Sequence, residues 1–297
     1  MIDAIALPPG WQHRESGVND VRLHYVEAGQ GPLVLLLHGF PEFWFAWRRQ
    51  IPALVDAGFR VIALDQRGYN TSDKPIGIAP YRLEHLVDDV VGIIRAAGED
   101  SAIVVGHDWG GAIAWSVAMA HPEVVQRLVV LNGPHPRRVF EEFRTASQLL
   151  KSWYVFFFQL PWLPERLLRR TNFASLDRVL SRDPVNPGAF SPDDIEAYRR
   201  ALAQPGALTA TINYYRALFR RNPLEIYRAA RPIVCPTLLI WGEQDRYLGL
   251  RFTEGLERWV SNLTVARIPE ASHWVQADAP ETVNALLLDF LHPGSNR

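Results

Sequence analysis

The chain has one cysteine, Cys235, in 297 residues, so no internal disulfide can form. That fits a reducing compartment, and the expected location is the cytoplasm. One cysteine also excludes a cysteine-based zinc site, and the nine histidines contain no HExxH pair. No metal and no cofactor are therefore expected. An excess of charge of either sign is missing too: 31 Lys and Arg stand against 32 Asp and Glu, a net charge of −1. Nothing in this balance points to nucleic acid or to an anionic membrane as partner. The apolar run LVLLL (33–37) is far too short to cross a bilayer, which takes about 20 residues. The opening stretch MIDAIALPPGWQHRESG lacks a basic region followed by an apolar core, so no secretory leader is expected. Internal repeats and low-complexity tracts are absent. Oligomeric state stays open between monomer and homodimer.

Hydrophobic residues at 48% and charged residues at 21% are ordinary for a globular protein able to bury a full core. The length fits one large domain or two small ones. Short apolar, β-rich runs recur at 21–29, 33–39, 59–65, 101–108, 125–132, 236–245 and 263–273. The first alternates as an antiparallel strand would, and the second is continuous, as in a strand covered on both faces. Helical patterns at roughly 43–56, 82–97, 110–120, 251–260 and 280–291 separate most of them. This alternation predicts an α/β fold with a mostly parallel central sheet and helices on both faces. The stretch from about 135 to 230 differs: it offers no convincing strand, an aromatic cluster at 152–165, helical patterns at 191–204 and 209–221, and a Pro- and Gly-rich loop at 181–192. It reads as a helical cap, 135–230, inserted into a core made of 1–134 and 231–297. A site is expected between the two.

The stretch GHDWGG (106–111) follows an apolar strand and opens a helix. Small residues on both sides of Asp108 outline a strand–turn–helix nucleophile elbow, in which the central side chain is forced into an exposed position. The plainer alternative is an aspartate that caps the helix N-terminus. Three other strand ends bear on the choice. HGFP (38–41) places the Phe40 amide where an oxyanion donor is needed, with the Trp109 amide as the second. WGEQDRY (241–247) brings Asp245, and EASHWVQ (270–276) brings His273. Taken singly, these are a strand-end turn, a solvated aspartate and a structural histidine. Taken together, the order Asp108, Asp245, His273 is nucleophile, acid, base, the chain order of an α/β-hydrolase triad.

At these residues the chain resembles the α/β-hydrolase-fold epoxide hydrolases of the soluble and microbial kind. HGFPEFWFAWR, DQRGYNTSD, GHDWGG and SHW match that family's pattern, and the similarity spans essentially the whole chain. Haloalkane dehalogenases share the fold and HDWGG. The chemistry explains an aspartate in either case. Serine attacking a saturated carbon would leave an ether, whereas aspartate leaves an ester whose carbonyl, Cγ of Asp108, water can attack. His273, oriented by Asp245, would activate that water, and the Phe40 and Trp109 amides would stabilise the oxyanion.

The choice between epoxide and halide rests on the cap. An opening epoxide develops a basic alkoxide and needs a proton donor, whereas halide needs only weak donors such as indole N–H groups. The resemblance implies one cap tyrosine in each of two contexts, SWYVFFFQ (152–159) and NYYR (213–216), matched by Tyr154 and Tyr215. Both could instead be packed helix aromatics, the expected fate of Tyr214. Many haloalkane dehalogenases carry Asn after HG, where this chain has Phe40; Trp109, Trp153 and Trp162 keep that alternative open. No arginine follows the nucleophile in 109–115, which argues against an anionic substrate such as fluoroacetate. Phe40, Trp109, Phe156, Phe157 and Phe158 are the expected substrate lining, suited to an apolar, aryl-bearing epoxide. Two positions depart from the family pattern: Asn70 stands where Gly is common, and the position after the preceding strand that carries the acid in some relatives is close to Asn132. His38 and His107 are expected to hydrogen-bond the loops. The leading expectation is an epoxide hydrolase acting on a small apolar epoxide and water, the second a haloalkane dehalogenase, and the third a non-catalytic binding protein on the same fold.

Overall fold

In the computed structural model, residues 5–220 and 231–292 are described. Eight strands form one sheet: β1 Gln12–Val18, β2 Val21–Ala28, β3 Leu33–Leu37, β4 Arg60–Leu64, β5 Ala102–His107, β6 Val125–Leu131, β7 Thr237–Gly242 and β8 Leu263–Ile268. Their spatial order is β1-β2-β4-β3-β5-β6-β7-β8. The β1–β2 and β2–β4 pairs are antiparallel, and all later pairs are parallel. Every residue of β3 and β5 is buried, as the continuous apolar runs predict for strands covered on both faces. β1 escaped the sequence pattern because QHRESGV is polar and mostly exposed; it is held as an edge strand by its pairing with β2.

Helices α1 Ile51–Asp56, α2 Leu83–Ala96 and α3 Trp109–Ala120, with the C-terminal helix Pro280–Leu291, cover the sheet. In α2, Leu86, Val87, Val90, Ile93 and Ile94 form a buried stripe at helical spacing. Helix α3 is buried almost all round, and its Trp115 indole N–H finds Gly133 O at 3.0 Å. Truncating so large a buried side chain costs about 3–5 kcal/mol. Two expected helices differ. The 43–56 pattern is a 3-10 turn, Trp44–Trp47, followed by α1. The 251–260 pattern is two short 3-10 turns, Leu250–Thr253 and Leu256–Arg258, parted where Glu254 is extended and Gly255 turns left-handed at φ 65°.

Between β6 and β7 the described residues contain no strand. They hold α4 Pro136–Glu142, α5 Ala146–Lys151, α6 Trp153–Phe157, α7 Leu163–Arg170, α8 Ala174–Arg182, α9 Pro192–Ala203 and α10 Ala207–Leu218. Helix α9 starts with a full capping box, Ser191 and Asp194 each satisfying the other's backbone. The Arg216 guanidinium ties α10 to α7 through Glu165, at 2.6 and 3.0 Å, and to α6 through Phe158 O. The expected end of the insertion, near residue 230, lies outside the described residues.

Candidate active site

The parallel register sets the floor of the site. Leu37 aligns with Gly106, His107 with Leu131, Leu131 with Ile240, and Gly242 with Ile268. The loops that follow these strands therefore emerge side by side at one edge of the sheet. Strand order reverses at β3 and β5, the crevice where open α/β sheets place their ligands.

Asp108 sits between β5 and α3 at φ 51°, ψ −115°, a left-handed conformation costly for a residue with a Cβ. Crowding imposes the turn: a Cβ on Gly110 would lie 2.1 Å from Leu37 O. Asp108 occupies the helix N-cap position, yet its side chain makes no capping bond. Its Oδ1 instead accepts the Phe40 N–H at 2.9 Å. Gly39 allows that approach, since a Cβ there would stand 2.5 Å from Asp108 Cβ. Trp109, whose amide is the other expected donor, opens α3 directly after Asp108.

His273, in the loop after β8, points Nε2 at Asp108 Oδ2 across 3.6 Å and holds Asp245 Oδ2 with Nδ1 at 2.7 Å. Asp245 is buried and fully engaged. Its Oδ1 accepts the amides of Tyr247 and Leu248 at 2.7 and 2.8 Å, and its Oδ2 also accepts Asn132 Nδ2 at 2.8 Å. Burial pushes the Asp245 carboxyl up, but His273, Asn132 and the backbone amides hold it below the ordinary carboxylate value. Burial pulls the His273 imidazole down, but Asp245, and then Asp108, push it up to about 9. Asn132, at φ 38°, also accepts the Gly242 amide with Oδ1 at 2.8 Å, so it fastens the end of β7 beside the acid.

A buried polar layer lies beneath. His107 joins Glu42 Oε2 at 2.7 Å and His273 O at 2.8 Å, while Glu42 accepts the Gly39 amide at 3.0 Å and Gln276 Nε2 at 2.9 Å. The hydrogen-bonded His107–Glu42 pair thereby ties the Phe40 loop to the His273 loop. His38 bonds Gly39 O and receives the Gln66 amide. Asn70 is left-handed at φ 42° and donates to Asp65 Oδ2 at 2.7 Å, so the turn accommodates it in place of glycine. Among the described residues no group of three or more His, Cys, Asp or Glu is arranged to hold a metal, and no helix is long and apolar enough to cross a membrane.

The helical insertion supplies the roof. The Tyr215 ring packs on Trp109 at 5.2 Å, Phe40 at 5.5 Å and Phe158 at 5.1 Å, and Tyr154 stands 5.9 Å from Tyr215. Burial raises both phenols above their ordinary value. Asp108 and Asp245 reinforce the effect on Tyr154, Tyr154 and Asp108 that on Tyr215, so both hydroxyls stay protonated. Tyr214 turns away and donates to Arg67 O at 2.8 Å. The expected lining is only partly assembled. Phe40, Trp109 and Phe158 surround Tyr215, and Phe157 lies one step out against Trp153 and Phe158. Phe156 is a correction: it is 43% exposed and packs on Phe219, because Val155 and Phe158 face inward at helical spacing and turn 156 outward. Trp153 and Trp162 are likewise exposed.

Sequence reasoning missed three residues. In sequence, Asn132 marks only the place near which some relatives carry the acid. Glu42 was visible within HGFPE, but its partner His107 is 65 residues away. Tyr247, two residues past Asp245, packs on His273 at 5.2 Å and on Tyr154 at 5.7 Å.

Residues 32–280 match the α/β-hydrolase fold family. The AB hydrolase superfamily protein YfhM of Bacillus subtilis is 45% identical, over 92% of this chain and 95% of that protein. Human epoxide hydrolase 4 is 42% identical, over 94% of this chain and 77% of its own length. The crystal structure of a Bacillus megaterium epoxide hydrolase in complex with an inhibitor superposes with a TM-score of 0.87 at 36% identity, covering 94% of this chain and 99% of that one. The fold, the elbow at Asp108 and these likenesses lead to one assignment: the chain is a hydrolase enzyme and belongs to the epoxide hydrolases of the α/β-hydrolase fold family.

Proposed function

We propose that this enzyme converts small apolar epoxides to vicinal diols through an ester on Asp108, with 135–230 acting as a cap over a core of 1–134 and 231–297. An Asp108 oxygen attacks an epoxide carbon. The carbon–oxygen bond opens, and the alkoxide takes a proton from Tyr154 or Tyr215, leaving a tyrosinate. His273 then takes a proton from water, and the hydroxide adds to Cγ of Asp108. The amides of Phe40 and Trp109 stabilise the resulting oxyanion. Collapse expels the diol, which receives its second proton from the imidazolium. The regenerated Asp108 carboxyl returns a proton to the tyrosinate, and the balance is epoxide plus water to diol.

One observation carries this reading. The Asp108 carboxylate is held by the Phe40 amide and faced by His273 at 3.6 Å, with two protonated tyrosines packed above it. Alkylation also favours the second step: esterified Asp108 is neutral, so one of the charges that raises His273 disappears and the imidazole gives its proton to solvent, and so acts as base, more readily than in the free enzyme. A haloalkane dehalogenase is disfavoured because Trp153 and Trp162, two of the three candidate indole donors, face outward. The aryl-lined site around Phe40, Trp109 and Phe158 supports an apolar, aryl-bearing substrate. Incubation with styrene oxide and with a bromoalkane tests the reading. Diol from the epoxide without bromide release is expected, and bromide release without diol would overturn it.

A further inference from the structure

The turn that carries Asp245 is bound to the helical insertion at Asp245, Arg246, Tyr247 and Gly249. Lys151 Nζ donates to Asp245 O at 2.9 Å. Gln148 Nε2 donates to Tyr247 O at 2.7 Å, and Gln148 Oε1 accepts the Gly249 amide at 3.2 Å. Asp183, just past α8, pairs with Arg246 at 2.9 Å and accepts the Tyr247 hydroxyl. On the other side, the Tyr247 amide is one of the donors that fix Asp245, and its ring stands edge-on to the His273 imidazole at 71°. Trp274 packs on the same imidazole at 86°. With the His107 ring at 4.9 Å, the base is thus surrounded by three aromatic rings, one of which hangs from the cap.

The geometry points to Tyr247 as a positioning residue whose hydroxyl bond to Asp183 transmits the seating of the cap to the orientation of His273. This rests on the ester reading above. The two half-reactions differ in whether they need the imidazole in place. Attack by Asp108 depends on the Phe40 amide and the two tyrosines; of these only Tyr154 meets Tyr247, ring to ring at 5.7 Å, a contact that does not use the Tyr247 hydroxyl. Water activation depends on where Nε2 points, and misplacing a catalytic group by about 1 Å can cost on the order of a hundredfold. Loosening the Asp183–Tyr247 link should therefore slow hydrolysis of the ester and spare its formation.

Single-turnover rapid quench with styrene oxide, read by intact mass of the enzyme adduct, separates the two rates. Tyr247→Phe keeps the ring and removes only the hydroxyl; Asp183→Ala removes the acceptor. For each, adduct decay should slow about tenfold while adduct formation stays within about twofold. The double variant should decay no more slowly than Asp183→Ala, which already loses the bond to the Tyr247 hydroxyl together with the Arg246 pair. Equal slowing of both steps, unchanged decay in Tyr247→Phe, or additive effects in the double variant would overturn the proposal. Failure of the ester reading is distinguishable: wild-type enzyme would then turn over with no adduct at any time, and the proposal would fall with it.

Discussion

The floor and the roof of the site are built on opposite terms. On the floor, the carboxylate that orients His273 is held by several partners: Asp245 accepts four hydrogen bonds, from His273, Asn132 and the amides of Tyr247 and Leu248. The floor hangs from strand ends in a sheet whose central strands are wholly buried. On the roof, Tyr154 on α6 and Tyr215 on α10 sit among other aromatic rings. Their neighbour Tyr214 spends its hydroxyl on Arg67 O. Under the proposed function this difference divides the labour: the core would fix the ester chemistry, and the cap would choose the electrophile.

Breaking the floor should have the largest effect. Asp108→Ala removes the nucleophile and should lower turnover by roughly four orders of magnitude or more, measured by diol formation. His273→Gln should leave the first step running and the second stalled, so intact mass after styrene oxide should show the stoichiometric adduct, with steady-state turnover down by about a thousandfold or more. Breaking the roof should cost less. Tyr154→Phe with Tyr215→Phe should lower turnover about 10²–10⁴-fold, in the range of general acid catalysis, and each single variant less, since one phenol remains.

Asp245→Asn sharpens the comparison through pH. His273 is held above its ordinary 6.5, at about 9, with Asp245 the strongest raising partner. The folded state then binds the His273 proton more tightly than the unfolded chain does. Its contribution to stability is fully present below about pH 6.5 and is lost as pH rises through about 9. Denaturant midpoints should therefore fall between pH 6 and pH 9.5 more steeply in wild type than in Asp245→Asn. The His273 imidazole resonance should titrate lower in the variant. The smallest effect belongs to the residue the structure turned outward: Phe156→Ala should change turnover by less than about twofold and stability by about 0.5 kcal/mol or less, as for a surface change.

Much of this was legible in the chain. The alternation of buried strands and helices exposed the sheet, because strands covered on both faces read as unbroken apolar runs. GHDWGG, Asp245 and His273 stood out because strand ends concentrate them. The helical insertion showed itself by lacking strand patterns. What stayed hidden depended on direction or distance. β1 is polar and is a strand only because β2 pairs with it. Phe156, Phe157 and Phe158 look alike in sequence, and only the helix phase decides which faces inward. The Glu42–His107 and Asp183–Tyr247 links join residues 65 and 64 positions apart, which no local motif encodes.

The central claim is that an Asp108 oxygen, and not a water oxygen, is delivered to the substrate. One turnover with enzyme in excess over styrene oxide, in oxygen-18 water, tests it directly. The account predicts an unlabelled diol and label in the Asp108-containing peptide; label appearing in that first diol, with an unlabelled peptide, would contradict it.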